Sequence, residues 1–195
     1  MAGERKAQIL QEATRLFSHF GYDKVTIKQL AEACGITEPA LYRHYESKEA
    51  IYDDVLDSLK KLQNHEELFA SLDHVDNLED LLKGLASHLL NFFKTHHELY
   101  RLLLYSTLRE HRKARQVFRE VRGPYVEFLI EQFNRLYEMG QIVQKNNEIT
   151  ARCFVGMVFD CAMGASLWRG YQGRTYKPEE VIDNNVPIFI KGLTP

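Results

Sequence analysis

The sequence predicts an all-α fold, and three observations carry that prediction. Almost every segment of the 195 residues places apolar side chains at helical i, i+3/i+4 spacing, with no strand-like alternation. Residues that start helices recur just ahead of these runs: Thr26, Thr37 and Ser47. Hydrophobic residues make up 45% of the chain and charged ones 27%. That is the balance of a folded protein large enough to hold a core without disulfides or metals.

The first predicted helix covers about 4–19, with Ile9, Ala13, Leu16, Phe17 and Phe20 on one face and Gly21 as its stop. Thr26 and Gln29 have capping-box spacing and open a short second helix that ends at Cys34-Gly35. A third runs from Thr37 to about His44; its first turn tolerates Pro39 because the N–H groups there have no helical partner. Ser47 caps a fourth helix reaching about Asn64, with Ile51, Val55, Leu56, Leu59 and Leu62 inward. Residues 71–77 read as a break.

A long helix then starts near Asn77, with Leu78, Leu81, Leu82, Leu85, Leu89 and Phe92 on its inner face. Residues 99–108 are apolar nearly all round, which places them in the middle of a bundle. The helix expected over 113–138 contains Gly123-Pro124, so a kink or restart is expected there. The last two predicted helices cover about 148–171, rich in small residues, and 178–191, which Pro187 is expected to interrupt.

Net charge is −2, and residues 1–48 hold seven Lys/Arg against six Asp/Glu. Any nucleic-acid reading therefore rests on where charges sit rather than on their sum. Cys153 and Cys161 are eight residues apart on one predicted helix, about 12 Å of rise, too far for a disulfide. Cys34, Cys153 and Cys161 read as buried free thiols of a reducing cytosol, with a redox sensor as the alternative. The N-terminus has no apolar core of a signal peptide, and no stretch has the length of a membrane span. The expected location is cytoplasmic.

Function concentrates in KQLAEACGITEPALYRHY, residues 28–45. Leu30 and Leu41 face a small core, Ala31 permits close helix approach, and Gly35 supplies a left-handed turn residue. Leu41 and Tyr45 hold the third helix down and leave its other side free for a groove of duplex DNA. That side carries Glu38, Ala40, Tyr42, Arg43 and His44, flanked by Lys28, Pro39 and Lys48. Tyr42, His44, Lys48 and the backbone N–H groups at Thr26 and Thr37 can donate to phosphate oxygens. Glu38 and Ala40 suit base edges: a carboxylate accepts from cytosine N4, and a methyl touches thymine. Plainer readings stand beside these. Tyr42 can be an ordinary aromatic, Glu38 a partner of the helix dipole, and His44 and Lys48 solvated side chains.

Residues 21–52 resemble the DNA-binding domain of the TetR family. The resemblance is carried by Gly21-Tyr22, Thr26, the Ala31…Gly35 turn, Leu41-Tyr42, Tyr45 and Ser47-Lys48-Glu49, and the segment through Phe17 fits that family's first helix. It implies a three-helix, helix-turn-helix DNA-binding domain over 1–48. A helical domain over 49–195 then binds an effector and pairs two subunits through its last two helices. The implied function is a ligand-responsive repressor on operator DNA, released by a small, mainly hydrophobic effector.

Candidates to line an effector pocket are polar or aromatic residues on apolar faces: His88, Tyr100, Leu103, Tyr105, Phe128, Phe159, Asp160 and Trp168. Each also has a core or solvent-facing reading. No cofactor and no metal are expected, since the histidines lack ligand spacing. No nucleophile motif or phosphate-binding glycine loop appears, so catalysis is not expected. An all-helical enzyme, or an adaptor that has lost DNA binding, are the rival readings.

Overall fold

The computed structural model describes residues 2–62, 65–166 and 176–195. Its described elements are α1 (Ala2–Phe20), α2 (Ile27–Ala33), α3 (Glu38–Tyr42), α4 (Lys48–Leu62), α5 (His65–Leu72), α6 (Leu78–Leu108), α7 (Arg112–Glu138), α8 (Asn147–Ser166) and α9 (Pro178–Leu193). The described residues contain no strand, and the fold is all-α as the periodicity predicts. No helix among them is long and apolar enough to cross a membrane.

The chain forms two compact units. The first combines residues 1–62 with 98–121, and the second combines 63–97 with 122–195. In the first, α1 packs on α2 and α4, burying Ile9, Ala13, Phe17, Leu30, Leu41, Ile51, Val55 and Leu56. Tyr52 is almost fully buried, edge-on to Phe17 with 5.1 Å between ring centres. Its hydroxyl is bonded to that of Ser106. Burial pushes the Tyr52 phenol pKa up, so that proton stays in place for hydrogen bonding.

In the second unit, Leu81, Leu82, Leu85 and Leu89 of α6 are buried, as are Tyr125, Leu129, Phe133 and Leu136 of α7. α5 lies close to α6 at Gly84, where a Cβ would come within 2.8 Å of the Leu72 side chain. The turn after α5 is tied to α7: Gln132 donates to Asp73 Oδ1 at 3.0 Å, and Arg135 to the Val75 carbonyl at 2.7 Å. Phe154 of α8 meets Phe189 of α9 edge to face at 5.0 Å.

Several expectations are corrected. Residues 65–70, unassigned by periodicity, and 71–72, expected to begin the break, form α5; Leu68, Phe69 and Leu72 make only one turn of apolar pattern. The helix at Gly123-Pro124 does not restart, because the fully buried Tyr125, Leu129 and Phe133 hold α7 as one element. Pro187 likewise leaves α9 continuous, between the buried Val181 and Val186 on one side and Leu193 on the other. The break falls instead at His96 of α6, whose φ of −116° and ψ of 25° leave the helical region. Of the thiols only Cys34 is buried; Cys153 is exposed and Cys161 intermediate. The expected stretch of α8 from 167 to 171 lies outside the described residues.

Helix ends explain the turns. The second and third helices are joined through Gly35, at φ 64°. Its N–H bonds to the Glu32 carbonyl at 3.0 Å and that of Ile36 to the Ala31 carbonyl at 3.0 Å, a Schellman ending. The same pattern ends α6, where the His111 N–H reaches the Ser106 carbonyl and the Glu110 N–H the Thr107 carbonyl. Glutamate rather than glycine takes the left-handed position there, at φ 61°, at a cost of about 1 kcal/mol.

Candidate functional site

The candidate DNA-facing surface is built from two helix starts and the turn between them. Thr26 Oγ1 accepts from the Gln29 N–H at 3.2 Å, and Gln29 Oε1 accepts from the Thr26 N–H at 2.8 Å. The predicted capping box is present. Thr37 Oγ1 accepts from the Ala40 N–H at 3.4 Å. The third helix is shorter than the span to His44. The Leu41 carbonyl takes the N–H groups of both His44 and Tyr45, at 2.9 and 3.1 Å, which tightens the last turn.

Burial sorts the motif into two faces. Leu30, Ala31, Cys34, Leu41 and Tyr45 are buried, while Thr26, Lys28, Thr37, Glu38, Pro39, Tyr42 and Arg43 are exposed. Ala40, His44 and Lys48 are intermediate. Tyr42 stands 49% exposed one position after the fully buried Leu41. A two-sided short helix of this kind has its core side satisfied and its polar side unoccupied.

Two anchors fix this surface. Tyr45 donates its hydroxyl to Asp54 Oδ2 at 2.8 Å, and Lys6 pairs with the same oxygen at 3.2 Å. Burial works against the Asp54 carboxylate, but the hydrogen bonds from Tyr45 and Lys6 outweigh it and lower its pKa. Lys48 is the second anchor. Its ammonium donates to the Tyr22 and Val25 carbonyls, both at 2.9 Å, and lies 4.1 Å over the Tyr22 ring centre. An ammonium has three N–H groups, so two are spent inside the protein.

The effector-pocket candidates divide between the two units. Tyr100, Leu103 and Tyr105 belong to the first unit, where Tyr100 and Leu103 are buried and Tyr105 is 52% exposed. Tyr105 lines a cleft of about 260 Å³ with Tyr22, Asp23, Tyr52, Arg109 and His111. His88, Phe128, Phe159 and Asp160 belong to the second unit. Asp160 is exposed on α8. Phe159 packs on Phe93 at 4.6 Å and under the Arg122 guanidinium at 5.1 Å. Trp168 lies outside the described residues.

His88 and Phe128 share an aromatic cluster that periodicity did not single out. His88 Nε2 is 3.2 Å from the Tyr125 hydroxyl, and Phe69 stacks on Phe128 at 4.4 Å and meets Tyr125 edge-on at 5.6 Å. His65 completes it, with a buried Nδ1 that has no hydrogen-bond partner. Burial, and then the nearby His65, hold the His88 pKa below its usual value, so His88 is neutral at pH 7. His65, Phe69 and Tyr125 escaped sequence reasoning because two of them lie on the unassigned α5.

Residues 9–55 match the profile of the bacterial regulatory proteins, tetR family. Residues 9–55 thus carry a TetR-type DNA-binding region. The TetR match ends inside α4 and contains the whole two-faced motif. The chain is 30% identical over 124 residues to YerO of Bacillus subtilis, an uncharacterized HTH-type transcriptional regulator; this covers 60% of the chain and 42% of YerO. It is 33% identical over 87 residues to IcaR of Staphylococcus epidermidis, the negative transcriptional regulator of the biofilm operon icaADBC; this covers 45% of the chain and 44% of IcaR. The matched stretch spans less than half the length of the curated relatives that head the comparison. Among solved structures, AibR in complex with isovaleryl coenzyme A and operator DNA superposes with a TM-score of 0.71 at 23% identity. That superposition covers 94% of this chain and 97% of the AibR chain and shows a shared fold.

Proposed function

We propose that the protein is a dimeric, ligand-responsive repressor that reads operator DNA through residues 1–48, with 49–195 carrying the effector and dimer functions. The observation that carries this reading is the exposed, unpaired polar side of a short helix whose other side is locked into a core. Thr26, Lys28, Thr37, Glu38, Pro39, Ala40, Tyr42, Arg43 and His44 form the DNA-facing surface. Lys48 holds its base and keeps one N–H for a phosphate. Two such helices, one from each subunit, meet successive major-groove faces of a near-palindromic site. Repressor neighbours such as IcaR support the negative sign of regulation. The work is binding rather than catalysis, and it places the protein in the cytoplasm.

The proposed dimer seam is α8 with α9. Both helices show large apolar side chains to solvent: Ile149 on α8 is 59% exposed and Ile188 on α9 is 63% exposed. The proposed effector is a mainly hydrophobic or aromatic molecule. The cluster of His65, Phe69, His88, Tyr125 and Phe128 offers it apolar area with a few polar atoms. Its binding favours a conformer whose two reading helices no longer match the groove spacing. Shifting such an equilibrium from 1:99 to 99:1 takes about 5.5 kcal/mol of differential affinity.

The test is a gel-shift titration of the full chain on the DNA upstream of its own gene, over a range of salt. Saturable binding is expected, with a log–log salt slope of roughly −0.9 per phosphate neutralised. A salt-insensitive complex, or none, defeats the reading. Native mass spectrometry of the same sample should report a dimer.

A further inference from the structure

A cleft of about 440 Å³ lies within the first unit, apart from the DNA-facing motif. Thr107 and Glu110 line it from the end of α6, and Arg112, Arg115, Phe118 and Arg119 from the first turns of α7. The three arginines sit at i, i+3 and i+7 and so share one stripe of the helix. From first to last they cover about 10 Å of rise.

This stripe differs from an ordinary solvated face. Neighbouring cations on and around α7 have carboxylate partners. Lys113 pairs with Asp57 at 2.7 Å, Lys60 with Glu120 at 2.6 Å, and Arg109 with Asp23. The side chains of Arg112, Arg115 and Arg119 have no ion pair or hydrogen bond among the described residues. The first turn of α7 holds no acidic residue, so the helix dipole opposes the cations placed there. Glu110, which lines the same cleft, is the one non-glycine residue at positive φ among the described residues. Three like charges without ion pairs in one cleft are a feature that a bound anion relieves.

We infer that this cleft binds a nucleoside di- or triphosphate. Guanidinium forks pair with phosphate oxygens bidentately, and a row of three matches a linear oligophosphate better than a single anion. Phe118 supplies the second half of the recognition. It is half-buried, with its ring 6.5 Å from that of the buried Tyr100, so the core holds it in place as one wall for a base to stack on. The volume lies in the range of small-molecule sites. A DNA duplex presents its phosphates on a convex rod, which a concave cleft does not fit.

Calorimetric titration of the full chain with ATP, GTP and inorganic tripolyphosphate, without DNA, tests it. At least one nucleotide is expected to bind one per subunit and more tightly than tripolyphosphate. The Arg115→Gln/Arg119→Gln double variant should lose about tenfold or more in affinity. Lys94→Gln, exposed on α6, should change nothing. Circular dichroism checks that the double variant stays folded. Failure of all three probes to saturate overturns the inference, as does binding that the double variant leaves intact. Tripolyphosphate binding as tightly as both nucleotides overturns the role given to Phe118. Weakened gel-shift affinity in the double variant, with no nucleotide binding in the wild type, overturns the site by assigning the arginines to DNA.

Discussion

The DNA-facing motif and the aromatic cluster treat their polar groups differently. Around α2 and α3 the groups that cap and anchor the helices are paired: Thr26 with Gln29, Thr37 with Ala40, Tyr45 with Asp54, and Lys48 with two carbonyls. In the aromatic cluster of the second unit, His88 shares a long 3.2 Å contact with Tyr125, and His65 keeps a buried nitrogen without a partner. A surface that must present the same face to DNA each time needs rigid supports. A site that must accept and release a ligand needs polar groups that gain a partner on binding.

The largest effect that sharpens this contrast is expected at Lys48. Lys48→Ala leaves the Tyr22 and Val25 carbonyls without their donor and should cost about 2 kcal/mol in urea unfolding. Its salt slope in DNA titrations should change by no more than about one unit. A variant of wild-type stability would show that the anchor is not a support. Next comes Tyr42→Phe, which removes an exposed hydroxyl outside the core. Operator affinity should fall by about 1 kcal/mol with the melting temperature unchanged, whereas an equal loss of stability would place Tyr42 in the core.

A similar magnitude with the opposite sign is expected at Glu110→Gly. Relief of the left-handed strain should raise stability by up to about 1 kcal/mol; a loss would mean that the Glu110 side chain is itself stabilising. The smallest effect concerns pH. The folded-state pKa of His88 lies below its unfolded value. The unfolded chain therefore binds the proton first, and stability present above about pH 6.5 is lost as pH falls through the folded pKa. His88→Gln should flatten the drop in melting temperature between pH 7.5 and 5.5. An unchanged drop would clear His88 of the acid sensitivity.

The same contrast decided what could be read from sequence. The first unit depends on local signals: Thr26 and Gln29 are three residues apart, and Gly35 marks its turn by itself. The anchoring role of Lys48 was hidden because its acceptors lie 26 and 23 residues away. The aromatic cluster joins α5, α6 and α7, so no spacing within one segment announces it. Pro124 and Pro187 misled for a related reason. A proline removes one hydrogen bond, and the buried side chains around it outweigh that loss. His96 carries no helix-breaking chemistry, so nothing in the sequence marked its break.

That break at His96 has a consequence for how α6 behaves in time. An uninterrupted ladder of hydrogen bonds opens and closes as one cooperative block, but a residue outside helical dihedrals divides it. In deuterated solvent, the amides before residue 96 and those after it should keep separate clocks. Each half of the 31-residue helix would then report the opening of its own neighbourhood.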